Sequence, residues 1–423
     1  MALATIGSRR RIRRWCSAAV TVAVSGAGLV VGTSSAVAGD FYTPPAQLSP
    51  GNSAPGVILR SQPIPLVLQV PGFSGPWPGT ATRIMYMTSY QDKDPVAATG
   101  VVVEPVAAWR GRGPRPTVVM GPATVGQGDQ CATSKTMNTP VAFQDKGSVA
   151  LNYTAPELYL LLNNGVRVAI PDYVGMGTPG VATYLNRAEQ GYAMIDAARA
   201  ALRLADAPGN APVAFSGYSQ GGSAAAAAVE LAPDYARELD IRAAYAGAPV
   251  ADVLSVIDKA DGHDAGSIGY FFNGLAVRYP KVKEILDREL NSAGKAMLAT
   301  VAQQCVFDTG RTFGNRRTSE WTNTGESFGA LIRRSPDLLK AVDDQRIGRG
   351  KPTVPVLLES APADTDVPYA QVRQLYDEWR GKGVPVTMTV DGTPPLPGGW
   401  THNVGMMTNL MPAVSYLIGA LAD

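Results

Sequence analysis

The 423-residue sequence predicts an α/β fold, a mostly parallel sheet covered by helices on both faces. Brief apolar runs such as "RPTVVMGPA", "GVRVAIPDYVGMG", "PVAFSG" and "IRAAYAGAPV" read as buried strands, each bounded by glycine or proline. Amphipathic stretches such as "NRAEQGYAMIDAARAALRLAD" lie between them, with apolar residues at three- and four-residue spacing. Strands that alternate with helices in this way join through crossovers, which leave the sheet parallel and its faces covered. A composition of 45% apolar and 17% charged residues suits a globular chain with a substantial core.

Residues 1–38 have the parts of a secretory signal. Arg9, Arg10, Arg11, Arg13 and Arg14 form a basic start, an apolar stretch runs from about Ser17 to Val31, and "SSAVA" places small residues before a cut at Ala38. The mature, secreted chain is expected to start near Gly39. No later segment has the ~18 uninterrupted apolar residues of a spanning helix. Residues 39–78, rich in proline, glycine and serine, read as an extended arm over a surface.

The first part of the core is expected over residues 79–251. "ATRIMYMTSY" and "AATGVVVEP" read as paired strands, and "PVAFSG" is followed by a helix from about Ser223 to Leu231. After Val250 the next buried strand is "TVPVLLES" at Thr353–Ser360, about a hundred residues on, where one crossover helix needs a few tens. Residues 252–350 therefore read as an inserted helical cap, and residues 351–423 as the second part of the core. Within the insertion, "GYFFNGLAVRYP" either lines a tunnel or lid or forms the insertion's own core.

Charge excludes one class of function. With 37 basic against 35 acidic residues the net charge is +2, which gives no sign of nucleic-acid binding. Of three cysteines, Cys16 leaves with the signal. An exported pair, Cys131 and Cys305, most simply forms one disulfide, two buried free thiols being the alternative. Such a bridge would fasten the insertion to the sheet across a long loop, and would contribute on the order of 4–5 kcal/mol. Neither cysteine has a CxxC partner or a nearby histidine, so no metal is expected.

"FSGYSQGGSAAAAAVE" contains the pattern GxSxG at Gly217–Gly221, after a strand and before a helix. A serine at such a sharp elbow takes strained backbone angles, and small neighbours two positions away let the turn close. The alternative is that the same glycines only form a tight turn that opens a closely packed helix. A hydroxyl also needs a base, and the chain has only two histidines. His263 lies in the polar loop "KADGHDAG" and reads as a solvated surface residue. His402 lies in "GGWTHNVG", read as a loop after the last strand "PVTMTV" and just before the C-terminal helix. Asp364 and Asp366 follow a buried strand in "TVPVLLESAPADTDVPYAQV", and one of them would hold the base. The chain order Ser219, aspartate, His402 is that of α/β hydrolases.

"FSGYSQGG", "PDYVGMG", "DTDVPYAQV" and "GQGDQCA" resemble the secretory lipases of fungi and actinobacteria, the Candida antarctica lipase A-like group, from about Phe41 to the C-terminus. The resemblance implies an α/β-hydrolase core, a helical cap inserted after the sixth strand, and carboxylic-ester hydrolysis by a Ser-Asp-His triad. It places the nucleophile on Ser219, the histidine on His402 and the acid on Asp364. One oxyanion donor falls on the backbone N–H of Gln220, and the second on Asp129 or on a backbone group of Gly126–Gly128. The family's cap-to-core disulfide falls on Cys131 and Cys305. No cofactor is implied, a lipid or other ester is the expected partner with transient contact at a lipid interface, and a monomer is expected. An esterase of soluble esters, an acyltransferase or a peptidase would use the same triad, and a non-catalytic binding protein would be expected to lack part of it.

Overall fold

The computed structural model describes residues 41–46, 50–66, 77–137, 141–143, 149–396 and 400–423. The expected signal and its cleavage site lie outside these residues.

Among the described residues nine strands build the main sheet: β1 (Ile58–Ile64), β2 (Gly79–Ser89), β3 (Pro95–Pro105), β4 (Thr117–Gly121), β7 (Arg167–Pro171), β8 (Val213–Tyr218), β9 (Ile241–Gly247), β10 (Val356–Ser360) and β11 (Val386–Val390). A separate short hairpin joins β5 (Val141–Phe143) to β6 (Val149–Leu151). The order across the main sheet is β1-β2-β3-β7-β4-β8-β9-β10-β11. Pairing is antiparallel from β1 to β7 and parallel from β7 to β11. The parallel strands β4 and β8 are buried along their whole length, as expected of strands covered on both faces.

The residues read as an arm contribute β1, which pairs antiparallel with β2 from Ile58 to Ile64. Its polar content and Pro63 hide it in the sequence, and both suit an edge strand, where one side needs no ladder hydrogen bonds.

Helices α1 (Thr133–Thr136) and α2 (Ala155–Asn163) precede β7. Helix α3 (Arg187–Leu204) starts where the Asn186 side chain accepts from the Glu189 N–H, an N-cap. Helix α4 runs from Gln220 to Tyr235, longer than the expected Ser223–Leu231 at both ends, because it begins directly at the elbow and continues through Pro233. Ala224–Ala228 are fully buried. The alanine run lets α4 lie against the sheet, and a Cβ on Gly221 would come within 2.0 Å of the Gly121 carbonyl oxygen.

Between β9 and β10 lie α5 (Val253–Ala260), α6 (Ala265–Arg278), α7 (Pro280–Glu289), α8 (Ser292–Val301), α9 (Val306–Phe313), α10 (Phe328–Arg334) and α11 (Pro336–Asp343). The insertion thus follows the seventh strand of the main sheet, not the sixth, because β1 adds an edge strand ahead of the others. Tyr270, Phe271, Phe272 and Leu275 of α6 are buried, and the Phe272 and Phe328 rings meet at 4.9 Å. "GYFFNGL" is therefore core. That core is continuous with the one under α3 and α4, so the insertion and sheet form one compact unit. Helices α12 (Tyr369–Gly381), α13 (Trp400–Thr408) and α14 (Leu410–Ala422) complete the chain. Helix α12 joins the α3–α4 side, whereas α2 and α14 cover the opposite face. Among the described residues no single helix is long and apolar enough to cross a membrane.

Buried polar contacts also tie distant segments together. The Glu230 carboxylate on α4 accepts from the N–H groups of Gly348 and Gly350, from Trp379 Nε1 and from Arg187, at 2.7–3.0 Å.

Candidate active site

Strand β8 ends at Tyr218 and α4 begins at Gln220, so Ser219 alone makes the reversal, with φ 60° and ψ −121°. A non-glycine residue held at positive φ needs over-determined surroundings. Here the Ser219 N–H donates to the Gly247 carbonyl at 2.9 Å, and the Ser219 carbonyl accepts from Ser223 N at 2.9 Å and Ser223 Oγ at 3.0 Å. The flanking glycines have a steric cause: a Cβ on Gly217 would lie 2.3 Å from the Gly221 backbone. First-turn N–H groups of α4, including that of Gln220, point their dipole toward Ser219.

Asp364 stands in the turn after β10. Its Oδ1 accepts from the backbone N–H groups of Asp366 at 2.8 Å and Val367 at 2.9 Å, and its Oδ2 lies 2.8 Å from His402 Nδ1. Burial opposes ionisation of Asp364, but the His402 ring and the two backbone donors outweigh it and hold the carboxyl below its ordinary value. Burial likewise opposes the His402 imidazolium, yet Asp364, with Asp366 and Glu359 adding to it, raises the ring above its ordinary 6.5. With Nδ1 engaged by Asp364, the neutral ring carries its proton there, and Nε2 is the basic nitrogen.

His402 is not in a loop, as expected, but in the first turn of α13, which starts at Trp400. The Tyr218 hydroxyl donates to the His402 carbonyl at 2.9 Å, and the two rings lie 5.0 Å apart, so the residue before Ser219 holds the histidine's backbone.

A cavity of about 480 Å³ opens over these groups, at the carboxyl ends of the parallel strands. Ser219, His402, Thr124, Phe307, Asp366 and His263 are among its walls. His263 is thus not a free surface residue: it lies in the turn between α5 and α6, one-third exposed, with Nε2 2.8 Å from Asp366 Oδ1. Sequence reasoning missed this pair because its members stand far apart in the chain, although the unusual "DTD" turn with only two histidines in the chain carried a hint. Asp264, also on the cavity wall, has its carboxyl pushed up to about 6, first by burial and then by Asp366.

The expected second oxyanion residue is displaced. Asp129 does not line the cavity, and its Oδ1 accepts from the Gly177 N–H at 3.0 Å. Burial raises the Asp129 carboxyl, with Lys135 and Gly177 opposing. Of the alternative donors, Gln127 N and Gly128 N both donate to the Gln304 carbonyl, at 3.0 and 3.2 Å, and Gly126, bridged to Cys305 through its neighbours' bonds, does not line the cavity. This part of the loop is clamped to the insertion by that bridge and by the Cys131–Cys305 disulfide, with Cα atoms 5.5 Å apart. The start of the same loop, Ala123 and Thr124, lines the cavity that Ser219 also lines. Among the described residues no group of three or more His, Cys, Asp or Glu side chains could hold a metal ion.

Comparison with known proteins is consistent with this layout. A probable inactive lipase of Mycobacterium tuberculosis is 27% identical over 82% of this chain and 75% of its own length. Lipase 5 of Candida albicans is 27% identical over 81% of this chain and 73% of its own length. The crystal structure of Candida antarctica lipase A in its closed state superposes with a TM-score of 0.75 at 20% identity, covering 90% of this chain and 85% of that one, and so supports the α/β-hydrolase fold. The family model for secretory lipases matches residues 144–419, so the chain belongs to the secretory lipase family.

Proposed function

We propose that this protein is an exported serine hydrolase of carboxylic esters, a lipase that cleaves acylglycerols or related lipid esters. The observation that carries the proposal is the 2.8 Å contact of His402 Nδ1 with Asp364 Oδ2, in a cavity that also holds Ser219 at its strained elbow. Ser219 Oγ attacks the ester carbonyl as His402 Nε2 takes its proton, while Asp364 fixes the ring and stabilises the imidazolium. The oxyanion is held by the Gln220 N–H and by a backbone donor of Ala123 or Thr124, which replaces the Asp129 assignment. His402 then returns the proton to the departing alcohol, and water, activated by the same ring, releases the acyl group from Ser219.

Val306, Phe307 and Met406 on the cavity wall support an acyl chain as the apolar part of the substrate. Exposed Trp400, Met407 and Met411, on the helix of His402 and the next, support transient contact with a lipid surface. Residues 1–38 would act as the export signal, cut near Ala38.

Since one relative is named an inactive lipase, catalysis itself is the property to measure. Purified protein is expected to hydrolyse p-nitrophenyl butyrate and to be labelled by a fluorophosphonate, and Ser219→Ala is expected to lose both. Labelling or turnover that persists in Ser219→Ala would remove the serine from this role.

A further inference from the structure

The turn Asp364–Thr365–Asp366 presents two carboxylates to the only two histidines of the chain. Asp364 meets His402 and Asp366 meets His263, each at 2.8 Å. The first pair belongs to the chemistry proposed above, whereas the second carries none of its proton transfers and still lines the same cavity.

Its position and valences are those of a binding site. Asp366 Oδ1 receives both His263 Nε2 and the Thr365 hydroxyl at 3.1 Å, which leaves Oδ2 for a ligand. His263 has its other ring nitrogen to offer, and Asp264 adds a second carboxyl to the same wall. These groups gather on the side of His402: Asp366 is two residues from the carboxylate that holds His402, and Asn403 follows that histidine on the wall. The histidine that protonates a departing alcohol must lie beside that alcohol's oxygen. An alcohol portion held beside His402 therefore comes next to these polar groups.

We infer that His263, Asp366 and Asp264 form a hydroxyl-binding subsite that selects esters whose alcohol carries further free hydroxyls, such as a monoacylglycerol. The inference rests on Ser219 and His402 acting as proposed. Hydroxyls both donate and accept, as this mixed set of carboxylates and an imidazole requires. A site built to bond a hydroxyl discriminates against the analogue that lacks it, because its polar groups are then left unpaired.

The test compares the specificity constants for 1-monobutyrin and ethyl butyrate, which share an acyl group and differ in the hydroxyls of the alcohol. Wild-type protein is expected to prefer monobutyrin. Asp366→Ala, which keeps the backbone N–H that Asp364 uses, is expected to lower the monobutyrin-to-ethyl-butyrate ratio about tenfold, and His263→Ala, on a separate segment, to lower it similarly. His263→Gln should restore part of the ratio. Equal losses on both esters, or an unchanged ratio, would overturn the subsite. So would a selective loss on butyrylcholine, which would mark a cation site instead. Wild-type protein labelled at Ser219 by a fluorophosphonate but inert to both esters overturns the subsite alone, whereas unlabelled, inert protein overturns the proposed chemistry with it.

Discussion

Replacing Asp364 by asparagine leaves the size of the side chain unchanged and reverses one hydrogen bond. Oδ1 of the native carboxylate accepts from two backbone N–H groups, at 2.8 and 2.9 Å. The asparagine carbonyl must keep that position, since an NH₂ there would face two donors. The amide NH₂ then points at His402 Nδ1, where the native Oδ2 stood at 2.8 Å. To accept from it the ring must give up its Nδ1 proton and carry the proton on Nε2, the nitrogen needed to deprotonate Ser219. The fold is retained and the base is in the wrong tautomer, a change worth about 10⁴ in kcat, or ~5.4 kcal/mol of barrier. Steady-state hydrolysis of p-nitrophenyl butyrate, with circular dichroism and thermal unfolding to establish folding, measures it. Folded Asp364→Asn with activity within tenfold of wild type would refute this account of the pair.

Three further outcomes follow from the same geometry. Because the reaction uses neutral His402 and Asp364 raises its pKa, kcat/KM should fall as pH drops, with an acid-limb midpoint above 6.5 in the pH–rate profile of the wild type. Glu230→Ala leaves Arg187 and three neutral donors unpaired in the core, and should destabilise by about 3–5 kcal/mol in urea unfolding, while the ester specificity of whatever remains folded is retained. Replacing Cys131 and Cys305 together by serine opens a loop with a sequence separation of 174 residues, and should cost about 4–5 kcal/mol in the same assay.

The elements closest to the site are the most legible in the sequence. Strand β8, Ser219 and helix α4 announce themselves because a buried strand, a glycine-flanked turn and a small-residue helix each leave a local pattern. The insertion is legible as a spacing, since a parallel sheet needs only short crossovers. Edge strand β1 is not, because a strand with an open side is free to carry polar residues and proline. The helical start at Trp400 is equally hidden, since Gly398 and Gly399 stand directly before it in the sequence and read as a turn.

Residue types and their order in the chain, by themselves, determine an α/β sheet with an insertion, a serine at an elbow, and an aspartate and histidine after later strands. Residue type does not separate Asp364 from Asp366, which are two residues apart and chemically alike; the resemblance points to Asp364, and the tertiary structure is what sets each aspartate against one histidine. The difference lies in what each meets in space: Asp364 is buried against α13, and Asp366 faces the α5–α6 turn. The loop that leads from β4 to Cys131 follows the same rule. Asp129 is sequence-adjacent to the disulfide, but the bridge to Gln304 and Cys305 turns that part of the loop toward the insertion, and Ala123 and Thr124 are left on the wall of the cavity. Local sequence encodes backbone elements through short-range sterics, whereas the pairing of like groups depends on contacts between segments far apart in the chain.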